Sequence, residues 1–242
     1  MKNNEYYSSV YKSDLWNLIR ELEARDLISV FNVNNRIDKI LDVACGNGSI
    51  ANALSQKFHA EAYGFDKNYE AVRIANEKGI KAIVGDVQDR WDYDDNTFDL
   101  VVASEIIEHV SDPDHLILES KRVLKNNGIL VIKTPNLASW FNRLIVLFGY
   151  QPIYTEVSTV SKKVGIGVLS GLVSDYRPVG HLRCFTKRAL SDIVKIHKMK
   201  LIYIKGIKTR YFPKGINTLN KFFSLFPDLS AELVLVAKNE KN

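Results

Sequence analysis

The sequence predicts an α/β fold, a parallel sheet with helices on both faces, and three observations predict it. Between 39 and 133, five short β-type runs (40–44, 62–65, 82–84, 100–103 and 129–132) follow one another. The intervening stretches 49–57, 69–78 and 115–125 repeat their apolar residues at helical spacing. The first run opens directly onto a loop with two glycines, Gly46 and Gly48, and a helical pattern follows at once. With 242 residues, 46% hydrophobic and 25% charged, the chain is long enough to bury one full sheet and too apolar to be disordered.

The remaining elements are read in order. Before about Arg36, one or two helices are expected, with Leu15, Trp16, Leu18, Ile19 and Leu22 as an apolar stripe. Asn126-Asn127-Gly128 predicts a helix stop and a turn ahead of the run at 129. From 135 to 180 the rhythm breaks into an amphipathic helix and a Gly/Ser/Val-rich stretch. A helix at 187–198, a strand at 201–205, a helix within 211–230 carrying Phe222, Phe223, Leu225 and Phe226, and a last run at 231–237 complete the series. A single domain is expected, divided into an N-terminal helical segment (1–36), a cofactor-binding core (37–135), a lid (136–180) and the C-terminal part of the sheet (181–242).

Charge and cysteine usage narrow the setting. A net charge of +5 permits an anionic partner, nucleic acid or a lipid head group, but the Lys and Arg residues are scattered and argue for neither. Cys45 and Cys184 make no disulfide framework and have no zinc-type spacing, so a reducing cytoplasm is the expected compartment. Residues 1–16 lack the apolar core of a secretion signal. The apolar stretch 137–148 contains Asn142 and Arg143 and is too short to span a bilayer.

The strongest chemical signal is the segment from Ile40 to Ile50. Glycines after a buried strand let the backbone turn sharply and approach a ligand. Asp42, four residues before Gly46, would brace that turn or meet the cationic amino-acid end of a ligand. The next run ends in Phe65-Asp66, a carboxylate placed to accept both ribose hydroxyls. The third ends in Gly85-Asp86-Val87, a second carboxylate within reach of an adenine amino group. Gly46 to Ala51 also satisfies the loose dinucleotide pattern of nicotinamide enzymes. The Asp42-Val43-Ala44-Cys45 extension and Asp86 favour a different nucleotide-like cofactor.

Those motifs, together with Phe98-Asp99-Leu100-Val101-Val102-Ala103-Ser104-Glu105, resemble in order and spacing the class I S-adenosylmethionine-dependent methyltransferases over residues 36–135. The resemblance implies a Rossmann-like sheet of seven strands with the last antiparallel. It implies that Gly46 and Gly48 pack against S-adenosylmethionine, that Asp66 binds its ribose and that Asp86 and Val87 frame its adenine. Asp42, Ala44, Asn47, Lys67 and Ser104 complete the expected cofactor-binding set.

The acceptor side is read from Ser104-Glu105-Ile106-Ile107-Glu108-His109. If this turn is helical, Glu105, Glu108 and His109 share one face, where they would act as a general base or a hard-metal site. His181, just before a helix, supplies another imidazole. The Glu-x-x-Glu-His motif with a later His resembles the ubiquinone-biosynthesis O-methyltransferases and the small-RNA 2′-O-methyltransferases. By that resemblance Glu105, Glu108, His109 and His181 would hold Mg²⁺ or another divalent ion. The competing readings are catalysis by His or Glu without metal, or a purely bracing role, with His181 capping a turn.

In the lid, Leu137, Trp140, Phe141, Leu144, Ile145 and Phe148 form one continuous apolar helical face, opposite Ser139, Asn142 and Arg143. Such a face would cover an apolar acceptor, make a dimer contact, rest on a membrane surface or pack on the core. Val164-Gly165-Ile166-Gly167 and Gly171 are expected to free the following segment to move. The leading function is methyl transfer, at oxygen, to a small-molecule or lipid-like acceptor by a cytoplasmic monomer or homodimer, with peripheral membrane contact open. RNA methylation, a non-catalytic cofactor-binding scaffold and a nicotinamide dehydrogenase are the alternatives.

Overall fold

The computed structural model describes residues 14–30, 36–172, 178–208 and 214–241. Expectations for 1–13 and 211–213 lie outside them. The elements are α1 (Asp14–Val30), β1 (Lys39–Val43), α2 (Ser49–Phe58), β2 (Glu61–Asp66), α3 (Tyr69–Glu77), β3 (Lys81–Val84) and β4 (Phe98–Ser104). After a 3₁₀ turn (Ile107–His109) come α4 (Pro113–Val123), β5 (Leu124–Pro135) and α5 (Trp140–Leu147). A second 3₁₀ turn (Gly167–Leu172), α6 (Lys187–Ile196), β6 (Lys200–Ile207), α7 (Lys214–Phe223) and β7 (Glu232–Lys238) follow.

The seven strands form one sheet in the order β3-β2-β1-β4-β5-β7-β6. Strands β1 to β5 pair in parallel, and β7 inserts antiparallel between β5 and β6. Neighbouring residues of the central strands alternate between two cores. Leu41, Val43, Val101 and Leu130 enter one; Ile40, Leu100, Val102 and Val131 enter the other, against Ile50 and Leu54 of α2. With both faces covered, a parallel strand reads as an unbroken apolar run, which is why these strands were visible in the sequence. All five parallel strands end along one edge, and the loop after β1 leads into α2 there.

Several expectations are corrected. Helix α1 buries Arg20, Ala24 and Leu27; of the predicted stripe Leu18 is exposed and Ile19 and Leu22 are half-buried, while the side chains of Leu15 and Trp16 lie outside the described residues. The Asn126-Asn127-Gly128 turn is absorbed into β5 itself. Helix α4 ends at Val123, Leu124 already pairs with Phe98, and the register resumes only at Leu100 with Ile129. The extra residues bulge, with Asn127 left-handed (φ 66°) and its N–H donating to Asn239 O at 2.7 Å.

The helix after β5 also departs from its predicted face. Phe141, Asn142 and Ile145 are buried, while Leu144 and Phe148 are 49% and 73% exposed. Asn142 turns inward because its amide donates to Leu137 O (3.1 Å) and its carbonyl accepts from Ile153 N–H (3.0 Å), tying the insertion to the helix. In the Gly165–Gly167 stretch the glycines answer close approaches. An added Cβ would meet Gln151 Cβ at 2.7 Å from Gly165 and the Tyr150 ring at 2.9 Å from Gly167. No helix among the described residues is long and apolar enough to cross a membrane.

Candidate active site

The cofactor edge is built by β1, β2 and their loops. Asp42 is fully buried, and its Oδ2 has no hydrogen-bond partner among the described residues. Burial pushes its carboxyl up to about 7, against the pull of the Arg20 charge. The Asp66 carboxylate bridges two loops, accepting Gly46 N–H and Asn68 N–H at 2.9 Å each. Burial raises its pKa as well, and those two N–H bonds oppose the rise. Ala44 is left-handed (φ 54°) and Asn47, fully buried, accepts the Ser49 hydroxyl at 2.9 Å. Gly48 also has a packing role. At φ 73° it caps α2, and a Cβ there would lie 2.9 Å from Ala75 Cβ and 3.0 Å from Ile80, so the missing side chain lets α3 close on the loop.

Around this loop stand the remaining predicted residues. Lys67 is exposed; Asp86 and Val87 are half-buried one strand further out, with Asp86 Oδ1 accepting Gln88 N–H at 3.0 Å. Ser104, at the end of β4, is buried with its hydroxyl unpartnered among the described residues. An unpaired buried acceptor in Asp42 and an unpaired hydroxyl in Ser104, at the ends of adjacent strands, suit a polar, cationic ligand end.

On the acceptor side the structure gathers three of the four predicted ligands. Glu108, His109 and His181 each offer one ligand atom, and these lie within 4.8 Å of one another. Glu108 Oε2 accepts the Thr134 hydroxyl at 2.9 Å, while Oε1, 3.9 Å from His109 Nε2, is buried without a geometric hydrogen-bond partner among the described residues, with the Glu105 carboxylate close by. Burial, then the Glu105 charge, holds the Glu108 carboxyl well above the usual carboxylate range. Burial and the neighbouring His181 lower the His109 pKa, so its ring is neutral near pH 7. The Glu108 carbonyl accepts Leu182 and Arg183 N–H at 2.7 and 3.0 Å, drawing the distant 181–183 stretch onto this turn.

Glu105 is placed differently. The turn is 3₁₀ only from Ile107, and Glu105 is left-handed (φ 55°), so the shared helical face does not form. Its carboxylate instead meets Lys133 Nζ at 2.5 Å. Lys133 is buried among Glu105, Glu232 (2.9 Å) and Glu23 (4.0 Å). Burial alone would lower its pKa; the three carboxylates outweigh that and raise it well above the ordinary lysine value. Burial would likewise raise Glu105, and Lys133 reverses it.

Residues 41–132 match the family model described as a methyltransferase domain. A ubiquinone biosynthesis O-methyltransferase of Pelagibacter ubique is 34% identical over 102 residues, 40% of this chain and 42% of that one. Over this stretch the chain is similar to a methyltransferase domain. The fold agrees along almost the whole chain. An S-adenosylmethionine-dependent methyltransferase from Thermotoga maritima, described as a possible histamine N-methyltransferase, aligns with TM-score 0.59 at 16% identity, covering 99% of this chain and 95% of that one. A chain in the complex between the Haloferax volcanii Trm112 methyltransferase activator and the putative methyltransferase aligns with TM-score 0.66 at 15% identity, covering 97% and 98%. The chain spans about half or less of the length of the curated relatives it matches.

Two residues beside the candidate site went unread in the sequence. Arg20 of α1 is buried, pairs with Glu23 at 2.9 Å, and its charge reaches Asp42, Asp66 and Glu105. An arginine three residues before a glutamate looks like an ordinary exposed helix pair, and nothing local marks it as buried. Lys133 ends an apolar run, where a lysine reads as the solvated end of a strand. The signal available was indirect, the acidic residues Glu105 and Glu232 also standing at strand ends.

Proposed function

We propose that this chain transfers the methyl group of S-adenosylmethionine to a hydroxyl of a small, lipid-like acceptor. The observation that carries the reading is the convergence of Glu108, His109 and His181 at the end of β4, next along the sheet edge from Asp42. The sulfonium donor brings its own leaving group, so the protein's task is to align an acceptor lone pair behind the methyl carbon. Asp66 would accept the ribose hydroxyls with its remaining lone pairs, Asp86 and Val87 would frame the adenine, and Asp42 with Ser104 would meet the amino-acid end. Arg20 has the charge to meet that end's carboxylate.

A hydroxyl acceptor must lose a proton, and the trio suits that demand. Neutral His109 has a free lone pair to take it. The same residues fit a divalent ion: a buried carboxylate oxygen without a partner and two imidazoles form a mixed oxygen–nitrogen donor set. A bound ion would lower the acceptor's pKa as a Lewis acid. Glu108, His109 and His181 would hold it, with Glu105 kept aside by Lys133.

The lipid-like class rests on the surface beside the insertion. Leu144, Leu147 and Phe148 at the end of α5 and Phe222, Leu225 and Phe226 around the end of α7 are all about half exposed or more. Trp140 stacks on Phe223 at 5.2 Å and joins the two groups into one apolar face. Arg143 and Lys221 belong to the same two helices. A face of this kind would rest on an anionic bilayer surface and admit a greasy acceptor from it.

The test is direct. Purified chain should bind S-adenosylhomocysteine, and Asp66→Ala should weaken that binding at least tenfold. Labelled donor should then pass its methyl group to a phenolic or lipid hydroxyl in an acceptor panel. No heat of binding, and no difference for Asp66→Ala, would overturn the reading.

A further inference from the structure

Residues 178–184 carry His181 and orient His109, yet no helix or strand holds them. The Glu108 carbonyl holds the second half of this segment, at Leu182 and Arg183, and a carboxylate from the insertion holds the first. Glu156 Oε1 accepts Val179 N–H at 2.8 Å, and Oε2 accepts Gly180 N–H at 2.7 Å and His181 N–H at 3.1 Å. Three successive backbone donors converging on one anion form a nest, filled here by the protein's own side chain.

Each imidazole is oriented by a carbonyl beside that nest. His109 Nδ1 lies 3.1 Å from Gly180 O, and His181 Nδ1 lies 2.9 Å from Tyr154 O, two residues before Glu156. A carbonyl only accepts, so Nδ1 of each ring carries the proton and each Nε2 is left with its lone pair. The rings sit 4.9 Å apart, beside the unpartnered Glu108 oxygen. Backbone carbonyls that select the tautomer also set the basicity and aim of the opposite nitrogen.

We infer that Glu156 is a positioning residue: by filling the nest it holds the Gly180 and Tyr154 carbonyls against both imidazoles and turns both Nε2 lone pairs toward the acceptor. This rests on the reading of Glu108, His109 and His181 as the acceptor-side machinery. Glu156 itself touches neither imidazole. Its negative charge is the active feature, because an amide or a methyl in its place cannot accept three N–H bonds.

Nitrogen-15 spectra of histidine-labelled full-length chain test this without donor, metal or acceptor. At pH 8 the wild type should show His109 and His181 protonated at Nδ1. Glu156→Ala and the near-isosteric Glu156→Gln should both move these rings toward the Nε2-protonated form that free histidine prefers. Affinity for S-adenosylhomocysteine should stay within twofold of wild type. Unchanged tautomers in the Gln variant would overturn the inference, and so would a loss of cofactor affinity in step with them, which marks general disruption. A full tautomer response in a chain that methylates nothing would keep the positioning role and sink the proposed reaction instead.

Discussion

Lys133 Nζ, itself buried, lies 2.5 Å from Oε1 of the half-buried Glu105. The pair holds Glu105 outside the group formed by Glu108 and the two imidazoles, while the Glu105 carboxylate stays close enough to Glu108 to help raise its pKa. One cation serves several carboxylates, and Glu232, pushed up to about 7 mainly by burial, shares the shortfall. Replacing Lys133 by Met would leave buried carboxylates without their counter-ion, a loss of about 3–5 kcal/mol. Urea unfolding measures it, and a change below about 1 kcal/mol would show that the cluster protonates at little cost.

Asp42 gives cofactor binding a proton signature. Its folded pKa of about 7 is above the unfolded value of about 3.9. The stability tied to its neutral form is therefore complete below the unfolded pKa and lost as pH rises through 7. A ligand bringing an ammonium or sulfonium beside Asp42 favours the anion, releasing up to about half a proton at pH 7. Calorimetry in buffers of differing ionisation enthalpy should detect this in the wild type and not in Asp42→Asn. Equal behaviour of the two would remove Asp42 from the cofactor's cationic end.

The β1 loop, Asp66 and the Asp86 step were legible because their signals are local. Glycine conformations, apolar runs buried on both faces and carboxylates at strand ends all appear within a few residues of one another. Arg20 and Lys133 were illegible because each is buried among charges far along the chain, and Asn142 because its partners lie in the irregular segments flanking α5. Periodicity sends Asn142 to the solvent face of α5, and only Ile153 and Leu137 explain its turning inward. The packing role of Gly48 against Ala75 and Ile80 was not legible, because those neighbours lie on α3 and the loop after it.

His109 and His181 should matter to transfer and not to donor binding. Alanine at either position is expected to slow methyl transfer by roughly 10²–10⁴-fold with S-adenosylhomocysteine affinity within twofold of wild type. Mg²⁺ or Mn²⁺ should raise the wild-type Tm, and chelation should reverse the rise. Full activity after chelation, with no effect of either ion on melting, would leave His109 as a base and exclude the ion.

The apolar face of α5 and α7 should bind vesicles rich in anionic lipid, and less so as salt is raised. Leu147→Asp with Phe148→Asp should abolish co-flotation while leaving the cofactor edge intact. A wild type that ignores vesicles and sediments as a dimer, which the double variant splits, would assign this face to self-association.

Strand β7 inserts between β5 and β6, and Glu232 at its start is one of the carboxylates around Lys133. During synthesis, β1 to β5 can assemble from neighbouring segments soon after they leave the ribosome. The open edge of β5 must then wait for β7, the last strand to emerge, and such non-local pairing is slow. Until it arrives Lys133 lacks one of its anions. Closure of the sheet at β5 and completion of the ion cluster around Lys133 thus depend on the same distant strand.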